Sequence, residues 1–563
     1  MMEKQKEKKG RGVSMKTKTI AIIPARGGSK GIIRKNLRFF NDRPLIYYAI
    51  QNALKSEKIE DVVVTTDSDE IIKYCNKFSV KIRKRPDHLG QDDVTLDPVI
   101  YDALVWFEDE HYRVDNVITL QPTSPLLTVE TLNKAISEFE KSDLDTLISV
   151  EEDVYLGWKE ENGNLVKDYE KRLNRQWLPK RYKETGAFLI CRRSIINENS
   201  RIGPKIGVYK IPKVEAIDID SEIDWYIAEK MDQRLKFLFV TSANDKIGTG
   251  HIYRCISLAN HFIGHERNFI IFDTFEKGKK LLEENNYSYI EVEDVNRVEQ
   301  YLDEYEIIIN DFLDTSVDYM NILKDKFVIN FEDLGEGADK ANLVFNALYE
   351  SSYPKENRRF GWRYVVLDDK ILIKTPNSFN EQVKEILVTF GGVDQNNLTL
   401  KSLKVLENFN DIKVKIIIGP GYKYKTELDK FLETSTLDYT LLSEVKDMGK
   451  EMENIDLAIT SNGRTVYELA SMNIPTISIS QNDRETMHLF SRYSKGVSYL
   501  GISCNVSDEQ LYLTIKELIE NRDKRYKMYK SFSQINLRKG VKTVKNEIIN
   551  SFWRWKDERN SDW

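Results

Sequence analysis

Residues 19–36 read TIAIIPARGGSKGIIRKN. Thr19–Ile23 is a short run of apolar and β-branched residues, the pattern of a strand covered on both faces. Pro24 closes it, and the chain then offers Arg26, Gly27, Gly28, Ser29 and Lys30 in quick succession. Glycines, lacking Cβ, let backbone N–H groups approach phosphate oxygens closely. Arg26 and Lys30 can neutralise a triphosphate and the charge that builds on a departing pyrophosphate. A bare GGSK also suits a plain surface turn with solvated cations. The GxxxxGK[ST] spacing of a Walker loop is absent.

Outward from this loop, the chain alternates strands and helices. A helix is expected around Leu45–Lys55, a strand at Asp61–Thr66, a helix at Ile71–Phe78 and a strand at Asn116–Leu120. Such alternation predicts an α/β fold on a parallel sheet. The helical stretch Glu222–Gln233 ends this unit, and the pattern restarts at Lys236–Thr241 (KFLFVT) with a second Gly-rich loop, Lys246–His251. A third restart comes at Glu385–Phe390 (EILVTF), after the connector Thr375–Asn380. We therefore expect a tail over 1–16, one domain over 17–234, and a second over 235–563. The second would hold two lobes, about 235–378 and 379–540, with a cleft between them.

Composition bounds the function. At 563 residues the chain is too long for one core. Its net charge of -6 gives no global attraction to nucleic acid or anionic membrane. No apolar run approaches the roughly 18 to 20 residues that a membrane helix needs. The basic N-terminus lacks the apolar segment of a secretory signal, and Cys75, Cys191, Cys255 and Cys504 are scattered without a CxxC pair. These features predict a cytoplasmic protein without a disulfide framework or zinc site.

The string at Ile22–Asn36 resembles the signature of the CMP-N-acylneuraminate synthetase (cytidylyltransferase) family, with Ile33 where that family usually has proline. Further matches follow in order: Val63–Asp67 (VVTTD), Arg85–Pro86 with Asp92, Gln121–Leu126 (QPTSPL), Arg175–Phe188 (RQWLPKRYKETGAF) and Ile217–Asp224 (IDIDSEID). The resemblance implies a nucleotidyltransferase, Rossmann-like domain. It would join CTP to a sialic-acid-like nonulosonic acid (neuraminic, legionaminic or pseudaminic), releasing pyrophosphate. By the same resemblance Arg26 and Lys30 are catalytic, and Ser29, Asn36 and Arg85 hold the nucleotide. Gln121, Arg175 and Gln176 face the sugar, Asp218 and Asp220 hold Mg²⁺, and the domain pairs as a homodimer. Residues two apart on an extended segment share a side, so Asp218 and Asp220 suit a hard cation. The plainer reading is an alternating strand, with Ser221 and Asp224 forming a helix capping box. Thr185-Gly186-Ala187 stands where many relatives carry Asn-Gly-Ala, which suggests an altered sugar contact.

Lys246–Arg254 (KIGTGHIYR) places His251 near a helix start, where the helix field favours a neutral imidazole able to act as base. A capping or core histidine is the plain alternative. The motif resembles the UDP-sugar hydrolase of pseudaminic acid synthesis and its spore-coat relatives, of GT-B-like fold. Ile307–Asp311 (IIIND), Phe331–Leu334 (FEDL), Leu343–Asn346 (LVFN), Thr389–Asp394 (TFGGVD) and Ser461–Glu468 (SNGRTVYE) continue it. The resemblance implies a GT-B-like pair of Rossmann-like lobes that binds a UDP-sugar. His251 would be catalytic, Gly391, Gly392, Gly463 and Thr465 near the diphosphate, and Glu468 near the ribose. Thr465 and Glu468 also read as a T-x-x-E capping box. The expected whole is a bifunctional enzyme. The alternatives for the second half are a glycosyltransferase and a non-catalytic UDP-sugar-binding module.

Overall fold

The computed structural model describes residues 17–28, 31–91, 93–244, 247–350, 355–443 and 445–561. The expectations for the tail 1–16 and for Ser29, Lys30, Asp92 and Lys246 therefore lie outside the described residues. The chain divides into two compact units, meeting in sequence at Gln233 and Arg234.

The first unit is built on one seven-stranded sheet. Its strands are β1 (Thr19–Pro24), β2 (Asp61–Thr66), β3 (Lys81–Lys84), β4 (Asn116–Leu120), β5 (Thr146–Glu152), β6 (Tyr182–Arg192) and β7 (Ile206–Lys210), in the spatial order β7-β5-β6-β4-β1-β2-β3. Central β1 is buried along its whole length and pairs in parallel with β2 and β4 (Ile22 opposite Val63 and Thr119). Apolar side chains on both of its faces are what helices on both sides of a sheet require. The helix Val129–Lys141 shows the matching pattern. Thr128 caps it, and Leu132, Ala135, Ile136 and Phe139 recur at i, i+3, i+4 and i+7 and are buried. One strand departs from the expected parallel sheet: β6 runs antiparallel to both β4 and β5. Its polar N-terminal residues pair with the end of β5 and its apolar C-terminal residues with the start, with a register shift between Glu184 and Leu189.

The second unit carries two parallel sheets. The first has β8 (Lys236–Ala243), β9 (Glu266–Thr274), β10 (Tyr289–Glu291), β11 (Ile307–Asp311), β12 (Phe327–Phe331), β13 (Leu343–Asn346) and β14 (Arg358–Phe360), ordered β10-β9-β8-β11-β12-β13-β14. The second has β15 (Glu385–Thr389), β16 (Lys413–Ile418), β17 (Asp438–Ser443), β18 (Leu457–Ser461), β19 (Thr476–Ser480) and β20 (Val497–Ile502), ordered β17-β16-β15-β18-β19-β20. Each lobe has its own apolar core. The last helix, Gly540–Ser561, returns from the second lobe to the first and buries Val541, Val544, Ile548 and Phe552 there. No helix among the described residues is long and apolar enough to cross a membrane.

Candidate functional site

In the first unit the C-terminal ends of β1, β2 and β4 lie together, and the quoted loop grows out of β1 there, where parallel α/β sheets place their ligands. Close approach explains Gly27 and Gly31, whereas a Cβ on Gly28 would meet nothing within 4 Å. A Cβ on Gly27 would come within 2.9 Å of the Ser68 Cβ, and the Gly27 N–H donates to Asp67 Oδ1 at 2.7 Å. A Cβ on Gly31 would meet the Asp220 carbonyl oxygen at 2.5 Å, so the loop lies directly against the Asp218–Asp220 segment. Asn36 is buried and its amide donates to the Arg26 carbonyl at 2.9 Å, which buckles the loop. Lys35, quoted in the motif but not singled out above, binds this end most directly. Its Nζ donates to the Ile219 carbonyl at 2.8 Å and to Asp220 Oδ1 at 3.0 Å.

The Asp218–Asp220 segment is irregular rather than a strand. Ile219 is fully buried, and its N–H donates to the Thr123 carbonyl of the QPTSPL turn. The Asp220 side chain is 75% exposed, whereas Asp218 Oδ1 is buried with no hydrogen-bond partner. Burial, reinforced by Asp220 and opposed by the nearby Thr123 hydroxyl and by Lys35, pushes the Asp218 carboxyl above the usual range. The capping box at Ser221 and Asp224 also forms, immediately downstream. A Cβ on Gly186, whose φ is +71°, would lie 3.1 Å from Gln121 Nε2 and 3.2 Å from Asp218 Oδ2. Gln121, Gly186 and Asp218 thus share one corner. The Ser124 hydroxyl is likewise buried and unpartnered.

Arg85 is buried, donates to the Thr65 carbonyl at 3.1 Å and keeps Nε unpaired. Burial lowers its pKa, with Asp67 opposing. Arg175 and Gln176 sit exposed on a short turn, Arg175–Trp177. Thr185 is turned into the fold. It is 3% exposed, and its hydroxyl donates to Ser149 Oγ at 2.9 Å, because the left-handed Gly186 that follows turns the chain at that point.

In the second unit a cleft of about 500 Å³ is lined by His251, Gly391, Gly392, Gly463, Thr465 and Glu468, all six residues expected there. Gly248 (φ +69°) and Gly391 (φ +75°) make the two turns, and a Cβ on Gly392 would touch the Gly248 Cα at 3.6 Å. His251 lies in the first turn of the helix Gly250–Asn260. Its Nδ1 is 2.6 Å from Asp311 Oδ1. Asp311 ends β11, next to β8, so strand order alone carries it to the histidine. Arg254, one helical turn on, donates from Nε to Asp311 Oδ2 at 2.6 Å and from its other end to Oδ1 at 2.5 Å. Burial alone would raise the Asp311 pKa, but Arg254 and His251 outweigh it and hold it down at about 2. A carboxylate on Nδ1 leaves Nε2 of His251 to the cleft, the arrangement of an oriented base. Asp311 was visible in the sequence only as an acid ending a strand.

One local reading changes. Arg464, not Thr465, takes the N-cap position of the helix Thr465–Ser471, without a side-chain cap bond, so the T-x-x-E box does not form. Arg464 instead donates to the Gly250 and Val366 carbonyls across the cleft. Glu468 is pushed up by burial, with Arg464 opposing. Gln481 and Asn482 are used internally: Gln481 bonds Gln395 and Phe390, and Asn482 caps the next helix.

The cytidylyltransferase family profile matches residues 20–294, and that of the glycosyltransferase family 28 C-terminal domain matches residues 386–545. The pseudaminic acid cytidylyltransferase of Campylobacter jejuni is 32% identical over 220 residues, covering 38% of this chain and 95% of the relative. The CMP-N,N'-diacetyllegionaminic acid synthase of C. jejuni is 34% identical over 219 residues, covering 37% of this chain and 93% of the relative. Of two other curated relatives, this chain spans 59% and 52% of their lengths. Among solved structures, MurG of Acinetobacter baumannii aligns with a TM-score of 0.41 at 14% identity, over 55% of this chain and 99% of MurG. Profiles and sheet topologies together make the architecture a nucleotidyltransferase domain followed by a GT-B-like pair of Rossmann-like lobes.

Proposed function

This chain belongs to the cytidylyltransferase family, and on that premise we propose that its first unit activates a nonulosonic acid with CTP. The anomeric hydroxyl of the sugar acid attacks the α-phosphorus of CTP. The bond to the β-phosphate oxygen breaks, giving the CMP-sugar and pyrophosphate. The observation that carries this reading is that the glycine loop and Lys35 meet the Asp218–Asp220 segment beside Gln121, in a segment where Asp218 Oδ1 is buried without a partner. Arg26 and Lys35 line the polyphosphate side, and Arg85, with an unpaired Nε, takes the nucleotide end. Lys30 falls between Gly28 and Gly31 in sequence and would join them. Gln121, beside Asp218, faces the sugar.

No cage of three or more His, Cys, Asp or Glu forms among the described residues. Two carboxylates fit a hard cation that takes its remaining ligands from phosphates and water, and the orphaned Asp218 Oδ1 is the donor such an ion requires. Asp218 and Asp220 would hold Mg²⁺, which when bound neutralises the triphosphate. Asp218→Asn should lower pyrophosphate release from CTP plus nonulosonate by on the order of 10²- to 10³-fold. It should leave the chemistry of the second unit intact, and the parent rate would refute the assignment. Pseudaminic, legionaminic and neuraminic acids as parallel substrates identify the sugar.

For the second unit we propose nucleotide-sugar chemistry in the 500 Å³ cleft, with His251 removing the proton of the acceptor that displaces the nucleoside diphosphate. The family 28 match favours a sugar hydroxyl as acceptor. The hydrolase expected from the sequence uses water at the same base. UDP release from a UDP-sugar that needs an added acceptor marks a transferase, and release without one marks a hydrolase. No release under either condition rejects both.

A further inference from the structure

The FEDL segment, which the site above does not use, places Glu332 against the back of the histidine network. It is 4% exposed and lines the cleft. Its φ is +53°, a left-handed conformation that costs a non-glycine residue energy and that the fold must hold in place. Oε1 accepts from Arg254 at 3.3 Å and from the Ala347 N–H at 3.2 Å, and Oε2 accepts from the Leu348 N–H at 3.3 Å. Arg484 holds its carbonyl oxygen from the other lobe at 2.8 Å. One buried guanidinium, Arg254, is therefore shared by two buried carboxylates.

We propose that Glu332 is a positioning residue that acts through Arg254 to supply the negative charge that makes His251 a base. Arg254 grips Asp311 through two short bonds, so its positive charge offsets that of the carboxylate the imidazole touches. With Glu332 ionised, the Arg254, Asp311 and Glu332 group behind His251 carries one net negative charge and favours taking up a proton. The other charged groups facing this cluster are matched. Arg464 also faces Asp311 and Glu332, but its charge is opposed by Glu468 and its hydrogen bonds go to the Gly250 and Val366 carbonyls, and Arg484 is paired at both nitrogens with Asp314. Tyr349 and Tyr467 face Glu332 with their pKa values raised by burial, and the Cys255 thiol beside Asp311 is likewise pushed well up, so all three stay neutral. Burial raises the Glu332 pKa to about 7 despite Arg254 and the two backbone donors. Its charge is therefore lost on mild acidification. The parent's activity should then fall on the acid side more steeply than one proton allows.

This inference rests on reading His251 as a base, so its test includes a measurement that needs no turnover. In the full-length protein labelled at histidine, the His251 resonance is assigned by its loss in His251→Gln and titrated by NMR. Glu332→Gln should lower the imidazole pKa by about one pH unit, a tenfold change in proton affinity. Glu332→Asp, which keeps the charge one methylene further back, should fall between Glu332→Gln and the parent. Identical titrations in parent and Glu332→Gln overturn the proposal. If Glu332→Gln does not fold, identical titrations in parent and Glu332→Asp overturn it equally. The matching kinetic signature is a Glu332→Gln acid limb with the slope of a single proton and an unchanged KM. A parent that releases no UDP from any UDP-sugar would reject the role of the second unit while leaving the titration result standing.

Discussion

Gly31 shows how far one residue can decide a site. A methyl group there would sit 2.5 Å from a backbone oxygen of Asp220, which has no rotamer by which to move aside. Gly31→Ala must therefore part the loop from the Asp218–Asp220 segment. A displacement of about 1 Å at a reacting centre costs on the order of 10²-fold in rate. Pyrophosphate release should fall by that factor, with the circular dichroism of the unit unchanged. His488 carries a different residue-scale consequence. It is 8% exposed, and Nδ1 lies 2.6 Å from the Asn462 carbonyl while Nε2 has no partner. Burial lowers its pKa from 6.5 to about 4. The unfolded chain thus takes up a proton near pH 6.5 that the folded chain refuses until about pH 4. Stability from this group is complete above pH 6.5 and is lost as the pH falls toward 4, by up to about 3 kcal/mol. His488→Gln removes that dependence. Urea melts at pH 7 and pH 5 should show the parent losing more stability than the variant on acidification.

At the scale of the element, what the sequence disclosed followed burial. Strands covered on both faces announce themselves as unbroken apolar runs: Asp61–Thr66 and Asn116–Leu120 form as read, and the Lys236 strand runs only two residues further. The direction of β6 was not legible, because alternation of apolar and polar residues is the same in either sense and the partner strand sets the sense. The T-x-x-E box failed at Thr465 because Arg464, with two carbonyls to satisfy across the cleft, occupies the cap position. His251 was legible from its motif, yet Asp311 reaches it from the end of a strand 60 residues away and Glu332 reaches its neighbour Arg254 from just past the next strand, and only sheet order brings them there. The last helix is the element whose loss is easiest to predict. Its first residue, Gly540, lies so close to the Val365 carbonyl that a Cβ would stand 2.0 Å away, and four apolar side chains follow it into the first lobe. At about 1.5–3 kcal/mol each, these contribute about 6–12 kcal/mol, as much as the whole stability of an ordinary domain. A chain ending at Lys539 should lose the second unit's cooperative melt in calorimetry while retaining pyrophosphate release from CTP.

At the scale of the molecule, the two units have separate sheets, separate cores and separate sites, each built from residues of one unit alone. A ligand that binds only one folded unit raises only that unit's stability, by RT ln(1 + [L]/Kd), or about 2.7 kcal/mol at a hundredfold excess over Kd. Scanning calorimetry should accordingly resolve two transitions. CTP with Mg²⁺ should move one upward, by roughly 4–8 °C for each kcal/mol in a small domain and by less in larger ones, and leave the other where it stands. UDP should do the reverse. Asp218→Asn should abolish the first response and keep the second, and a substitution within the second cleft, such as Thr465→Val, should do the opposite. A single transition moved by both ligands would mean that the two units unfold as one cooperative body, and the assignment of each activity to its own unit would then have to be tested on residues 17–233 and 234–563 expressed apart.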